Sequence, residues 1–262
     1  MNRVSQLLAS RGRRRLLVPF FTSGYPTAKT ALDLVQAGID AGADMIEIGM
    51  PFSDPMADGP EIQLSSQVAL ENGTGMSDTL RFVELVRKHS DTPIILMGYF
   101  NPLLAFGTAR FTRAAAQSGV DGMIIPDLPF DEADELSRPA AQNNLSCVYL
   151  VAPTSSAERV ERIDRACSDF VYAVTVTGVT GAGSHFGRST DSYLKSLRHR
   201  LKKPFVAGFG VSSPASAARL ARYADGVVIG SALIKTFRTA RNRRSGIRKV
   251  SRLLSNIRGS LD

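Results

Sequence analysis

The sequence predicts an α/β fold, a single closed (β/α)8 TIM barrel over residues 1–262, and three observations carry that expectation. Eight short runs rich in Val, Ile and Phe recur along the 262 residues. Most are nearly continuous apolar runs rather than alternating ones, as expected of parallel strands covered by helices. The runs start mostly about 22 to 34 residues apart, a plausible length for one strand and its crossover helix. An open doubly wound sheet is the alternative that the same alternation allows.

In chain order the strands are Leu16–Phe21, Met45–Met50, Pro93–Tyr99, Gly122–Asp127, Ser146–Ala152, Phe170–Val176, Pro204–Gly208 and Gly226–Gly230. Helical periodicity lies between them at Thr27–Ala41, Arg110–Ser118, Asp131–Asn143, Ser156–Cys167 and Pro214–Arg222. The Ser213-Pro214 pair is a start signal, an N-cap followed by a proline at the first helical position. The interval from the second strand to the third is the exception, at roughly 48 residues, and holds two extra helical segments, Glu61–Glu71 and Ser77–His89. An insertion after a strand falls at the C-terminal mouth of a barrel, where such folds place their chemistry.

Charge is unevenly spread. The formal net charge is +8, yet residues 1–15 carry five arginines and no acid, and residues 238–262 carry eight basic side chains against Asp262. The body, 16–237, is therefore mildly acidic, with 19 basic and 23 acidic residues. Ile247, Val250, Leu253, Leu254 and Ile257 have helical spacing, so the tail is expected to close the fold as an amphipathic helix with a solvated basic face. Nucleic-acid binding by these ends is the weaker alternative, because no aromatic residues interleave the charges. No run of eighteen apolar residues is present, so no transmembrane helix is expected. Arginines stand where a signal peptide needs its apolar stretch, and Cys147 and Cys167 read as two reduced thiols, so a cytoplasmic protein is expected.

The stretch EIGMPFSDPMADGPEIQ, residues 47–63, holds four acids and three prolines. In MIEIGM the two-residue period puts Met45, Glu47 and Gly49 on one face and both isoleucines on the other. The isoleucines suit the helix-facing side, which turns Glu47 into the barrel near its mouth. A buried carboxyl without a partner is costly and its pKa rises, which suits general acid–base work. Pairing with a barrel cation is the structural alternative, but the eight strand cores contain no Lys or Arg. Asp54 and Asp58 follow on a proline-stiffened loop, where Asp-Pro and Asp-Gly are also ordinary turn formers. The histidines, His89, His185 and His199, do not join a carboxylate cluster of metal-ligand spacing. Glycine-rich turns follow the last three strands, at 178–183, 208–213 and 229–232, and the latter two run into helices. Backbone N–H groups at such turns bind anions, and barrels usually hold phosphate after strands seven and eight. Gly208-Phe209-Gly210 lacks the third glycine of a dinucleotide fingerprint. The ligand expected is thus a small phosphorylated molecule with an apolar or aromatic head.

With those residues in hand, PFSDPMADGPEIQ resembles the signature of the tryptophan synthase alpha chain family. VPFFTSGYP, LMGYFNP, IIPDLP, GVTGAG, GFGVS and IGSAL follow the family order along the whole barrel. The resemblance implies a lyase splitting indole-3-glycerol phosphate into indole and glyceraldehyde 3-phosphate. It implies no cofactor in this chain, and a beta-chain partner that holds pyridoxal phosphate, in an α2β2 heterotetramer. Glu47 matches the acid–base glutamate, Asp58 the loop aspartate, and Tyr172 a site tyrosine that orients substrate or Glu47 and is equally read as core. Phe20, Met97, Tyr99, Ile124 and Thr180 match the indole pocket, with Asp127 beside it. Gly181, Gly210, Gly230 and Ser231 match the phosphate positions, and Asp54, Pro55, Asn101 and Pro129 match positions facing the beta chain. Three departures stand out: Arg188 is displaced from its usual place after GVTGA, Gly98 replaces a bulkier residue and is expected to loosen its strand, and the tail is unusually rich in arginine. A non-catalytic regulatory barrel and another phosphate-binding barrel enzyme are the competing readings.

Overall fold

The computed structural model of the chain describes residues 2–175, 188–208 and 210–261. Among the described residues nine strands, all paired in parallel, form one sheet: β1 (Leu16–Thr22), β2 (Ile46–Gly49), β3 (Ile94–Met97), β4 (Gly122–Ile124), β5 (Ser146–Val148), β6 (Leu150–Val151), β7 (Val171–Val174), β8 (Phe205–Gly208) and β9 (Gly226–Ile229). Their order is β5-β4-β3-β2-β1-β9-β8-β7-β6. The two ends of that sheet, β5 and β6, are joined by the single residue Tyr149, so the sheet closes on itself. The interruption has a local cause. Tyr149 donates its N–H to Cys167 Sγ at 3.2 Å rather than to a strand, while its carbonyl accepts from Tyr172 N at 3.1 Å. The nine segments thus fill the eight strand positions expected, and the open sheet is excluded.

The two-residue period sorts the core into two layers. Leu16, Val18, Phe20, Met45, Ile95, Met97, Ile124, Val148, Tyr172, Val206 and Val228 share the inner cluster. Leu17, Phe21, Ile46, Ile48, Ile94 and Leu96 pack outward against the helices. Both faces are buried, which is why the strands read as continuous apolar runs. Helices start where their caps predict. Thr27, Ser156 and Ser213 each accept a backbone N–H three residues on, opening Ala28–Asp40, Ala157–Ala166 and Pro214–Ala221. The long interval after β2 carries the helices Pro60–Glu71 and Met76–Arg87. Cys147 and Cys167 are buried free thiols, held protonated by burial, which raises them to about 11 and about 12.

Both basic ends are helical. The helix Arg3–Ser10 inserts Val4 into the inner cluster, with Leu7 and Leu8 packed against it, and so closes the barrel at the N-terminal ends of its strands. The helix Arg243–Leu261 buries Val250, Leu254 and Ile257 and exposes Arg248, Lys249 and Arg252. Much of the positive charge, however, serves the barrel's own acids. Asp44 accepts from Leu17 N (2.8 Å) and pairs with Arg258 (2.8 Å) and Arg14 (3.1 Å). Asp121 accepts from Ile94 N (2.8 Å) and pairs with Arg87 and Arg3. Asp225 accepts from Phe205 N (3.1 Å) and pairs with Arg11, Arg198 and Arg15. Each aspartate sits at the entry to one strand and holds an N–H at the start of the strand beside it, that of the first residue for Asp121 and Asp225 and of the second for Asp44. The expected solvated basic face therefore describes only part of the tail. No helix among the described residues is long and apolar enough to cross a membrane.

Candidate active site

The inward face of β2 places Glu47 level with Phe20 on β1 and Ile95 on β3. Glu47 is only 1% exposed, and its Oε1 has no hydrogen-bond partner among the described residues. Burial first, and the charge of Asp58 second, push its carboxyl up to about 8. At neutral pH it therefore keeps its proton, as an acid catalyst requires.

Asp58 belongs to the loop between β2 and the helix Pro60–Glu71. Hydrogen bonds from Met56 N to Asp54 O (2.9 Å) and from Asp58 N to Pro55 O (3.0 Å) fold that loop into a compact turn. Gln63 Nε2 holds the Asp58 carbonyl at 2.9 Å. The Asp58 carboxylate accepts the Tyr99 hydroxyl at 2.9 Å. Burial raises its pKa to about 6, with the Tyr99 hydrogen bond opposing the rise. Two carboxyls in one pocket thus hold their protons differently, one neutral and one charged near pH 7.

Tyr172, on β7, completes this side. It is buried, and burial followed by the charges of Glu47 and Asp58 raises its hydroxyl well above the ordinary phenol value. Its ring lies across Gly208, where an added Cβ would come within 2.2 Å of the hydroxyl. Phe20 lies across Gly49 in the same way, at 2.4 Å. These two glycines make room for two aromatic rings at the mouth.

A cavity opens here, partly to solvent, lined by Phe20, Glu47, Asp58, Ile62, Met97, Tyr172, Gly210, Val211, Val228, Gly230 and Ser231. Its carboxyl end is Glu47 and Asp58. Its other end is built from Gly210, at φ +82°, and from Gly230-Ser231, which open the helix Ser231–Arg238. The first N–H groups of a helix lack intrahelical acceptors and carry the positive end of its dipole. No Lys or Arg lines the cavity among the described residues, so an anion at this end would be held by backbone N–H groups and the Ser231 hydroxyl.

The structure brings together Phe20, Glu47, Asp58, Met97, Tyr172, Gly210, Gly230 and Ser231 as expected. Ile124 is buried in the inner cluster beside Met97 but does not line the cavity, and Tyr99 reaches it only through Asp58. Thr180, Gly181 and the rest of the 178–183 turn lie outside the described residues, as does Phe209. Asp54, Asn101 and Pro129 are exposed, whereas Pro55 is buried within the chain. Asp127 accepts from Phe100 N at 3.0 and 3.2 Å and so opens the helix Phe100–Phe106. Gly98 lies just beyond β3, and the space a Cβ would need there is filled by Met50, whose Cε would lie 2.7 Å away. Ile62, Val211 and Val228 were not expected in the wall. Val228 was legible from the period of GVVI; Ile62 and Val211 are placed by a helix turn and a loop that period does not reach. No group of three His, Cys, Asp or Glu suited to a metal occurs among the described residues.

The family model of the tryptophan synthase alpha chain matches residues 7–260. The tryptophan synthase alpha chain of Geotalea daltonii is 45% identical over 239 residues, 90% of each chain. That of Xylella fastidiosa is 43% identical over 250 residues, 95% of this chain and 93% of the relative. The crystal structure of tryptophan synthase subunit alpha from Legionella pneumophila superposes with a TM-score of 0.92 at 34% identity, covering 100% of this chain and 99% of that one. A chain in the aminoacrylate-bound tryptophan synthase of M. tuberculosis gives 0.88 at 30% identity, with 100% of both chains covered.

Proposed function

The chain belongs to the tryptophan synthase alpha chain family, and on that premise we propose that it is the lyase that splits indole-3-glycerol phosphate into indole and glyceraldehyde 3-phosphate. The observation that carries this reading is Glu47, a buried carboxyl with an unpartnered oxygen, lining the same cavity as Asp58.

The chemistry follows from the two protonation states. Glu47 gives its proton to C3 of the indole, and positive charge develops on the ring nitrogen. Asp58, charged at neutral pH, accepts the ring N–H and stabilises that charge where it forms. The bond from C3 to the glycerol chain then breaks as the adjoining hydroxyl loses its proton. The bond electrons restore the indole ring, and the hydroxyl carbon becomes the aldehyde. Glu47, now a carboxylate, takes the hydroxyl proton and returns to its starting state. Tyr172 orients Glu47 or the substrate. Phe20, Met97, Ile62 and Val228 face the indole, a role that family resemblance also gives Thr180, and Gly210, Gly230 and Ser231 hold the phosphate, a role that family resemblance also gives Gly181.

Membership in this family implies a beta-chain partner. We propose an α2β2 heterotetramer in the cytoplasm, with pyridoxal phosphate held by the beta chain and this chain acting as one barrel domain. Asp54, Asn101 and Pro129 offer exposed positions to the partner, and buried Pro55 stiffens the loop behind them. The test is indole release from indole-3-glycerol phosphate by the purified chain, alone and with the beta chain. Glu47→Gln keeps the size and removes the titrating proton, and should lower kcat by about 10²–10⁴-fold. A variant that cleaves at the wild-type rate would overturn this assignment.

A further inference from the structure

We propose that Tyr99 is a positioning residue for Asp58: its hydroxyl, fixed by the Ala57 N–H, holds the carboxylate in its charged form and aims it at the ring N–H of the substrate. The inference rests on the lyase reading for the substrate and on the geometry for the coupling.

Family resemblance puts Tyr99 in the wall of the indole pocket, but it does not line the cavity. It stands two residues beyond β3, 6% exposed, with its ring tilted against Phe52 at 5.2 Å between centroids. Its oxygen makes two hydrogen bonds of 2.9 Å, one from Ala57 N and one to Asp58 Oδ2. The direction of this relay is fixed by chemistry. A backbone N–H can only donate, so the phenol oxygen accepts from Ala57 and its one proton is left for Asp58. An O–H donated to Oδ2 requires that oxygen to be unprotonated, so the relay favours the carboxylate over the acid. It also ties up Oδ2 and leaves Oδ1 as the acceptor for a ligand N–H. Ala57 and Asp58 are adjacent, so a single phenol fixes both the loop backbone and the side chain that the loop carries. The burial that raises Asp58 is thus opposed by one donor on a rigid neighbouring strand end.

Other titratable groups act on the pair from each side. Glu47 on β2 and Tyr172 on β7 face Asp58, and the charge of Asp127, beyond β4, acts on Tyr99. None of them is altered by Tyr99→Phe, which keeps the ring against Phe52 and removes only the hydroxyl.

The first readout is independent of activity: the carbon-13 NMR titration of the Asp58 side-chain carboxyl in the full chain. Tyr99→Phe should raise its midpoint by about one pH unit, and an unmoved midpoint overturns the proposal. The second is the pH profile of kcat/KM for indole-3-glycerol phosphate cleavage. Its acid limb should move to higher pH by the same amount while the alkaline limb, set by Glu47, stays in place. A uniform loss at every pH with both limbs fixed would make Tyr99 a structural wall and contradict the inference. In the Asp58→Asn background, which removes that limb, Tyr99→Phe should leave the remaining pH profile unmoved; a shift there would also contradict the proposal. A wild-type chain that cleaves nothing counts against the lyase reading, and the NMR titration then decides the Tyr99–Asp58 coupling alone.

Discussion

The two ends of the barrel treat buried carboxylates in opposite ways. At the N-terminal ends of the strands, Asp44, Asp121 and Asp225 each accept a strand N–H and at least two arginine partners. At the C-terminal ends, Glu47 and Asp58 share a cavity whose lining holds no cation among the described residues. All five are buried carboxyl groups, and the difference is the counter-ion. Pairing turns a buried acid into a fixed brace, whereas its omission leaves a group that holds or releases a proton near neutral pH. This contrast also accounts for part of the basic termini, whose Arg3, Arg11, Arg14, Arg15 and Arg258 pair with the acids of the barrel floor.

The comparison breaks most readily at the mouth. Asp58→Asn removes the charge proposed to meet the ring N–H and should lower kcat by about 10²–10³-fold, with thermal stability unchanged or raised. Loss of stability together with retained activity would place Asp58 among the braces instead. At the other end the expectation reverses. Asp225→Ala strands Arg11, Arg15 and Arg198 and leaves Phe205 N without its acceptor. It should cost about 3 kcal/mol in urea unfolding, while kcat of the folded fraction is preserved. The smallest effect belongs to the exposed face of the closing helix. Lys249→Ala and Arg252→Ala should each change stability by less than about 0.5 kcal/mol and leave cleavage unaltered; a larger loss in either would mean that this face is braced like the barrel floor.

Legibility in the sequence follows the same division. The strands and Glu47 were readable because period two and double burial act on every residue of a parallel strand. Asp58, Tyr172 and the glycine turns became readable as a set through family resemblance, since turn chemistry alone explains each of them equally well. The barrel floor was not read. Asp44, Asp121 and Asp225 recur at strand entries, in GADM, GVDG and YADG, but their partners lie up to 214 positions away. The N-terminal helix was hidden because its arginines mark a charged tail until Val4 is seen inside the barrel. The helix Phe100–Phe106 depends on Asp127 for its start, a contact between loops that no local period announces. Tyr149 split one strand into two because a thiol, not a neighbouring strand, receives its N–H.

The central claim is that Glu47 is a buried acid without compensation, and the pH dependence of stability tests it most directly. Its carboxyl is raised from 4.5 to about 8. Between those values the folded chain holds a proton that the unfolded chain has released, so wild-type stability should fall as pH rises through this window. Glu47→Gln lacks that proton equilibrium. The measurement is urea unfolding of both proteins from pH 4 to pH 9. Relative to its value at pH 4, the stability of the variant should gain on the wild type across the window and level off above about pH 8. A difference between the two that stays flat with pH, or that moves in favour of the wild type, would mean that Glu47 is paired and would contradict the account.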